Sequence, residues 1–206
     1  MSKFTLHYFG GNGRAAIARA ILSYAKADWT NDLIKREDWP KIKTSGLCEY
    51  EQVPVLEVGG KKYCESNAIN LYLGETFGLL GKNAEENYQI NNLLMAAEDY
   101  SKVAIALYLC TDESKKPELK KNAEAKLKFL FTRFEKRYVD LGKGKYFLGD
   151  KFTLADIFLT VNLFSTLQSL GLPDSACKDV APNVSELAVR VKENELKEFF
   201  EKYFIK

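Results

Sequence analysis

Gln52-Val53-Pro54-Val55-Leu56-Glu57-Val58-Gly59-Gly60-Lys61-Lys62-Tyr63-Cys64-Glu65-Ser66 is the stretch on which the fold turns. Val53 to Val58 and Lys61 to Cys64 read as two short strands, and Gly59-Gly60 between them is the strongest hairpin signal in the chain. Glycine at both central positions supplies the positive φ of a tight two-residue turn. Ser66 then opens a helix running to about Phe77, so the stretch spells strand, strand, helix.

Working outward toward the N-terminus, residues 3 to 9 alternate and are rich in aromatics, Gly10 to Gly13 interrupt, and Ala15 to Tyr24 carry apolar residues at helical spacing. Trp29 to Ile34 reads as a second strand, and a strand-helix-strand unit of this length makes its strands parallel. The first 77 residues therefore predict βαβ followed by ββα, a small α/β sheet with helices packed on it. Beyond Gly78 to Asn83 the chain reads as helical to its end, with long helices over Glu85 to Cys110 and Pro117 to Leu141. Phe129, Phe131, Phe134 and Tyr138 read as a core stripe, and the lysines from Lys115 to Lys128, interleaved with Glu118 and Glu124, as a solvated face. In Phe152-Thr153-Leu154-Ala155-Asp156-Ile157, Thr153 is a helix cap, Asp156 folds back to it, and Phe152 with Ile157 occupies the staple positions.

Composition narrows the classes. With 206 residues, 46% of them apolar and a formal charge of +2, the chain can bury a core without disulfides or a structural metal and has no electrostatic pull toward nucleic acid or anionic membrane. The longest apolar run, Val103 to Cys110, is too short to cross a bilayer, and the opening residues lack the apolar block of a secretory signal, so a cytoplasmic protein is expected. Cys48, Cys64, Cys110 and Cys177 form no C-x-x-C and His7 is the single histidine, so neither a redox dithiol nor a metal site is expected to assemble locally.

Hydrolase and P-loop signatures are missing. Gly11-Asn12-Gly13-Arg14-Ala15-Ala16 fits a dinucleotide fingerprint, but the turn into a hairpin after two strands leaves too few parallel strands for one. Two other places offer chemistry. A cis bond between Val53 and Pro54 would turn the Val53 N–H and C=O outward to an extended peptide-like ligand, whereas an ordinary trans turn would not. Ser66 at a helix N-terminus suits a carboxylate, and Glu65 beside it suits an ammonium, so an α-amino acid head fits there; a plain N-cap is the alternative.

Taken together, Tyr8 in Leu6-His7-Tyr8-Phe9, Gly13-Arg14-Ala15, Asp38-Trp39-Pro40 with Lys43, Gln52-Val53-Pro54, Glu65-Ser66-Asn67-Ala68-Ile69 and Thr153-Leu154-Ala155-Asp156 resemble the cytosolic glutathione S-transferases over essentially the whole length. The N-terminal half is most similar to the sigma class, which includes glutathione-dependent prostaglandin D synthases and S-crystallins. Departures from that class are Glu65, where it usually has glutamine, and Ala16, where an acid is expected.

The resemblance implies a thioredoxin-like N-terminal domain over residues 1–79, an all-helical domain over 80–206 and a cytoplasmic homodimer. Glutathione would be the co-substrate and no metal would be needed. Tyr8 and Arg14 would be catalytic, Tyr8 hydrogen-bonding the sulfur. Trp39 and Lys43 would hold the glycine end, Gln52, Val53 and a cis Pro54 the peptide backbone, Glu65 and Ser66 the γ-glutamyl head, with Asp99 reaching it from the other subunit. Tyr50 would be the dimer key. Phe9, Tyr100, Leu107, Tyr108, Phe158 and Phe204 would form the electrophile pocket, although the same aromatics equally fill a helical core.

The implied activity is detoxifying conjugation of glutathione to hydrophobic electrophiles, with reduction of organic hydroperoxides as an additional activity; a non-catalytic crystallin-like dimer or a prostaglandin isomerase is the alternative. The chemistry has its own logic. A thiol of pKa near 8.5 is mostly protonated at neutral pH, and lowering that value by roughly two units requires about 2.7 kcal/mol, within reach of a charge-assisted hydrogen bond. Residues 10 to 13 are Gly, Gly, Asn, Gly and offer neither serine nor cysteine, so Tyr8 is the candidate hydroxyl, with His7 on the opposite strand face.

Overall fold

Alternation along the first strand, β1 (Phe4–Tyr8), buries Phe4 and Leu6 and leaves Thr5 and His7 half-covered on the other face. This is the outcome that period-2 patterning dictates. The computed structural model describes residues 3–204. These form two compact units, residues 3–80 with 191–204 and residues 81–190.

In the first unit a 3₁₀ turn (Gly13–Ala15) leads into α1 (Ala16–Tyr24), followed by β2 (Trp29–Leu33), the short α2 (Trp39–Lys43), β3 (Val55–Val58), β4 (Lys61–Tyr63) and α3 (Ser66–Thr76). The sheet order is β2-β1-β3-β4, with β1 parallel to β2 and both β1–β3 and β3–β4 antiparallel. That mixed sheet is the small thioredoxin-like one expected, and the antiparallel neighbour of β1 ends the dinucleotide alternative. Gly59 and Gly60 adopt φ of 56° and 77°, as the hairpin turn requires. His7 places Nδ1 2.7 Å from the Asp32 carboxylate across the β1–β2 ladder, a surface role away from Tyr8.

The second unit contains α4 (Ala84–Ala96), α5 (Glu98–Leu109), α6 (Lys116–Asp140) and α7 (Leu154–Leu170), with α8 (Pro182–Glu193) crossing its boundary. The helix expected over Glu85 to Cys110 is in fact two, because Ala97 drops to φ −78° and ψ −10° and ends α4. Phe131, Phe134 and Tyr138 are buried as expected, but Phe129 is 50% exposed, lying under the Lys126 and Arg133 side chains instead of in the core. The lysine face is solvated, with Lys116 paired to neighbouring Glu113 at 2.5 Å and Lys128 paired to the sequence-distant Asp179 at 2.7 Å.

α7 is buried almost all round, so it is the core of its unit. Each of its fully buried large apolar side chains contributes about 1.5–3 kcal/mol. Its start is the expected capping box: the Asp156 carboxylate accepts from the Thr153 N–H at 2.9 Å and from the Phe147 N–H at 2.7 Å. Burial still pushes the Asp156 carboxyl up to about 6, because desolvation outweighs those two donors.

Two features depart from the sequence expectation. The C-terminal helix α9 (Lys197–Tyr203) packs on α1 and belongs with the sheet, so the compact units do not divide at residues 79 and 80 alone. The four cysteines are free, yet Cys48 and Cys64 bring their sulfurs to 3.1 Å, a dithiol assembled through space instead of along the chain. No helix among the described residues is long and apolar enough to cross a membrane.

Candidate active site

One end of the sheet gathers the site. The β1–β3 register pairs His7 with Val55, which sets Tyr8 beside Pro54, and the β3–β4 register pairs Leu56 with Tyr63, which carries Cys64 and Glu65 to the same end. The Ile34 N–H donates to the Tyr8 carbonyl at 2.9 Å and starts the segment leading to Trp39 at that end as well. Four strands thus deliver residues widely separated in sequence to one rim.

Tyr8 is held through its hydroxyl. The backbone N–H of Arg14, in the 3₁₀ turn, donates to the Tyr8 oxygen at 3.1 Å. The phenol keeps its own hydrogen free to donate elsewhere, and accepting one bond polarises it as a donor. The approach is close enough to require glycine before Arg14: Gly13 has φ +38°, and a Cβ there would lie 2.5 Å from the hydroxyl oxygen. The Phe9 ring packs 5.5 Å from Tyr8 and, edge-on, 5.4 Å from Trp39, drawing the α2 end of the site toward the strand.

Beneath this loop lies Arg19, a charged residue of α1 that is only 1% exposed. Its guanidinium donates to the carbonyls of Gly11 (2.6 Å) and Phe9 (2.9 Å) and to the Asn31 side chain (3.1 Å), and it stands 5.5 Å from the Tyr8 ring. Burial lowers its pKa from the ordinary arginine value, with Tyr203 and Tyr8 opposing that shift. Arg19 fixes the loop that fixes Tyr8. Its signal in the sequence is a lone cation among Ala18, Ala20, Ile21 and Leu22, a pattern that demands buried partners.

The second wall is the start of α3. Glu65 precedes it at φ 66° and ψ 111°, a conformation that costs a non-glycine residue of order 1–3 kcal/mol and is met mainly at functional positions. Its side chain is exposed, while Ser66 is buried with its hydroxyl 3.5 Å from the Arg14 guanidinium. The Val53–Pro54 bond is cis, and Val53 lies beyond the β3 ladder with Gln52 exposed next to it. Lys43, at the end of α2, is exposed and 4.0 Å from Glu51. Tyr8, Arg14, Trp39, Lys43, Gln52, Val53, Pro54, Glu65 and Ser66 all belong to the first unit.

The remaining candidates divide between the units. Phe9 and Phe204 are in the first, Phe204 packing on Phe199 and Phe200. Tyr100, Leu107, Tyr108 and Phe158 are in the second: Tyr100 and Phe158 are buried, Leu107 is half-buried and Tyr108 is exposed. Asp99 is exposed at the start of α5, 3.8 Å from Lys126, on a groove of about 250 Å³ whose lining includes Asn92, Ala96, Phe129, Leu130 and Arg133. Tyr50 is exposed in the loop after α2.

Comparison with known proteins agrees with this fold. Residues 4–75 match the family model for the glutathione S-transferase N-terminal domain and residues 98–203 that for the C-terminal domain. The chain is 33% identical over 176 residues to glutathione S-transferase 2 of Manduca sexta, covering 84% of each. Among solved structures it is similar to the prostaglandin synthase D of Nilaparvata lugens, at 29% identity and a TM-score of 0.84 over 99% of this chain and 100% of that one. The sigma class enzyme of Fasciola hepatica gives 25% identity and a TM-score of 0.84 over 100% of this chain and 98% of that one.

Proposed function

Since the chain belongs to the glutathione S-transferase family, we propose that Tyr8 activates the thiol of bound glutathione as a thiolate, which then attacks a hydrophobic electrophile. The transferase activity is that of the family; the residue roles are our reading. What carries it is the Arg14 N–H on the Tyr8 oxygen, which leaves the phenolic hydrogen as the donor available to a ligand sulfur. The Arg14 side chain adds positive charge on the side toward Ser66.

Around that sulfur the tripeptide is bound in pieces. Val53 pairs with the ligand backbone as an added strand would, Gln52 lies next to it, and Pro54 turns both toward the rim. Ser66 and the first amides of α3 receive the γ-glutamyl carboxylate, and Glu65 receives its ammonium. Trp39 and Lys43 hold the glycine carboxylate. Asp99 of the partner subunit completes the γ-glutamyl contacts in a homodimer, with Tyr50 entering the groove by Phe129 and Leu130 of the other copy. Phe9, Tyr100, Leu107, Tyr108, Phe158 and Phe204 are the candidates for the electrophile side. Hydroperoxide reduction uses the same thiolate, and detoxification in the cytoplasm is the setting that we infer; the likeness to the Fasciola hepatica enzyme supports the sigma class.

Tyr8→Phe tests this. If the phenol lowers the thiol pKa from near 8.5 by about two units, its loss reduces the thiolate fraction at pH 7 by roughly 25-fold. Turnover of a chlorodinitrobenzene-type electrophile should fall by that order, with glutathione binding retained and the ultraviolet absorbance of the bound thiolate moved to higher pH. Equal kcat/KM in both proteins would remove Tyr8 from the chemistry.

A further inference from the structure

The thiols of Cys48 and Cys64 stand with their sulfurs 3.1 Å apart, about 1 Å beyond the length of an S–S bond. The residues lie 16 apart in sequence, and the turn after α2 and the hairpin β3–β4 bring them together. Cys48 sits in the irregular segment following α2 and Cys64 between β4 and α3. Neither is inside a helix or a ladder, so a sulfur approach of this size falls on backbone that no regular hydrogen-bond pattern fixes. Cys110 and Cys177 are free thiols as well, and neither is joined to a second cysteine in this way.

We infer that Cys48 and Cys64 form a reversible intramolecular disulfide, with a low-molecular-weight disulfide such as oxidised glutathione as the electron acceptor. Cys64, the more exposed of the two, attacks one sulfur of that disulfide. A bond forms from Cys64 to the small molecule, the original S–S bond breaks, and one thiol leaves with the proton that Cys64 gives up. The Cys48 sulfur then attacks Cys64 Sγ, expelling the second thiol with its proton and closing the protein disulfide. Two protein thiols are oxidised and one disulfide is reduced to two thiols. The second step is intramolecular at 3.1 Å, so the mixed disulfide does not accumulate. The first step is slow at neutral pH: desolvation, followed by the neighbouring Cys48 thiol, pushes the Cys64 thiol up to about 11. Only the thiolate attacks, so the rate climbs about tenfold per pH unit below that value.

The bridge would close a ring around Tyr50, Gln52, Val53 and Pro54 and end on the residue bonded to Glu65. The covalent step itself does not depend on the catalytic reading, and its test measures no activity.

Reduced wild-type protein is incubated with oxidised glutathione at pH 7.5 and 8.5, quenched with acid, and read by intact mass and by mapping of cross-linked peptides. The expected product has lost two hydrogens, carries a Cys48–Cys64 linkage, forms about tenfold faster at the higher pH and reverts with dithiothreitol. Cys48→Ser should stop at a glutathionyl group on Cys64. Wild-type protein that halts with glutathione on Cys64 and a free Cys48 thiol, or that leaves both thiols reduced at pH 8.5 over hours, would overturn the inference.

Discussion

Gly13→Ala puts the position of the Tyr8 hydroxyl to a direct test. The added Cβ would start 2.5 Å from the hydroxyl oxygen, and reaching an ordinary contact of 3.4 Å takes a displacement of about 0.9 Å. The phenol has little room to yield, being tied to the Arg14 N–H at 3.1 Å and packed against Phe9 at 5.5 Å, so a shift of this size breaks the hydrogen bond. A misplacement near 1 Å at a reacting group costs on the order of 10²-fold in rate. The backbone adds a separate cost, since φ +38° disfavours alanine by about 1–2 kcal/mol. That corresponds to a Tm lower by about 2–8 °C for a chain of this size. Two further variants separate the effects. Gly13→Asn tolerates the positive φ but keeps the Cβ, so it should recover part of the Tm without the activity. Gly171→Ala at the end of α7, φ +64° with open space around it, should lose stability and keep full activity. The assay is kcat/KM with glutathione and a chlorodinitrobenzene-type electrophile, alongside titration of the bound thiol. Gly13→Ala with kcat/KM within about twofold of wild type and an unshifted thiol titration would refute the placement argued from Tyr8 and Arg14.

Further expectations concern the supports of the fold. Arg19→Leu removes three charge-assisted, part-buried hydrogen bonds, to the Gly11 and Phe9 carbonyls and to Asn31, at about 1.5–3 kcal/mol each, so Tm should fall by at least about 10 °C by calorimetry; an unchanged Tm would show that the clamp is dispensable. Asp156 has its folded pKa raised from 3.8 to about 6 by burial, so its stabilising term is complete below pH 4 and is lost as pH rises through 6. The Tm difference between wild type and Asp156→Asn should therefore shift in favour of wild type on acidification across that window, and a difference independent of pH would contradict it. Tyr50→Ala removes an aromatic anchor worth about 2 kcal/mol or more, weakening self-association at least about 30-fold by analytical ultracentrifugation; equal association in both proteins would dismiss the proposed key.

The elements that the sequence announced are those whose signals are local. Gly59-Gly60 is a turn because two consecutive positive φ values leave little choice, and Thr153 with Asp156 is a helix start because the donors sit three residues apart. Phe129 could have been read correctly from spacing: it stands two residues from both Leu127 and Phe131, off the buried stripe that those residues share with Phe134 and Tyr138. The break at Ala97 carries no such mark, since alanine is the best helix former. Gln52-Val53-Pro54 and Glu65-Ser66 suggested ligand chemistry one by one, but only the sheet register brings them to the end of the strand that carries Tyr8. The Cys48–Cys64 approach was hidden for the same reason: it depends on the path of a loop, which composition does not encode.

The Asn12 amide donates to the Tyr203 carbonyl at 3.1 Å across 191 positions of sequence, and Arg19 lies between the Tyr8 and Tyr203 rings. Chain synthesis delivers these partners far apart in time. The opening strand and its sheet can form early, but the loop above Arg19 gains its last restraint only when residues 197 to 203 have left the exit tunnel and settled on α1. A nascent chain would therefore carry the phenol long before it carried the complete cradle.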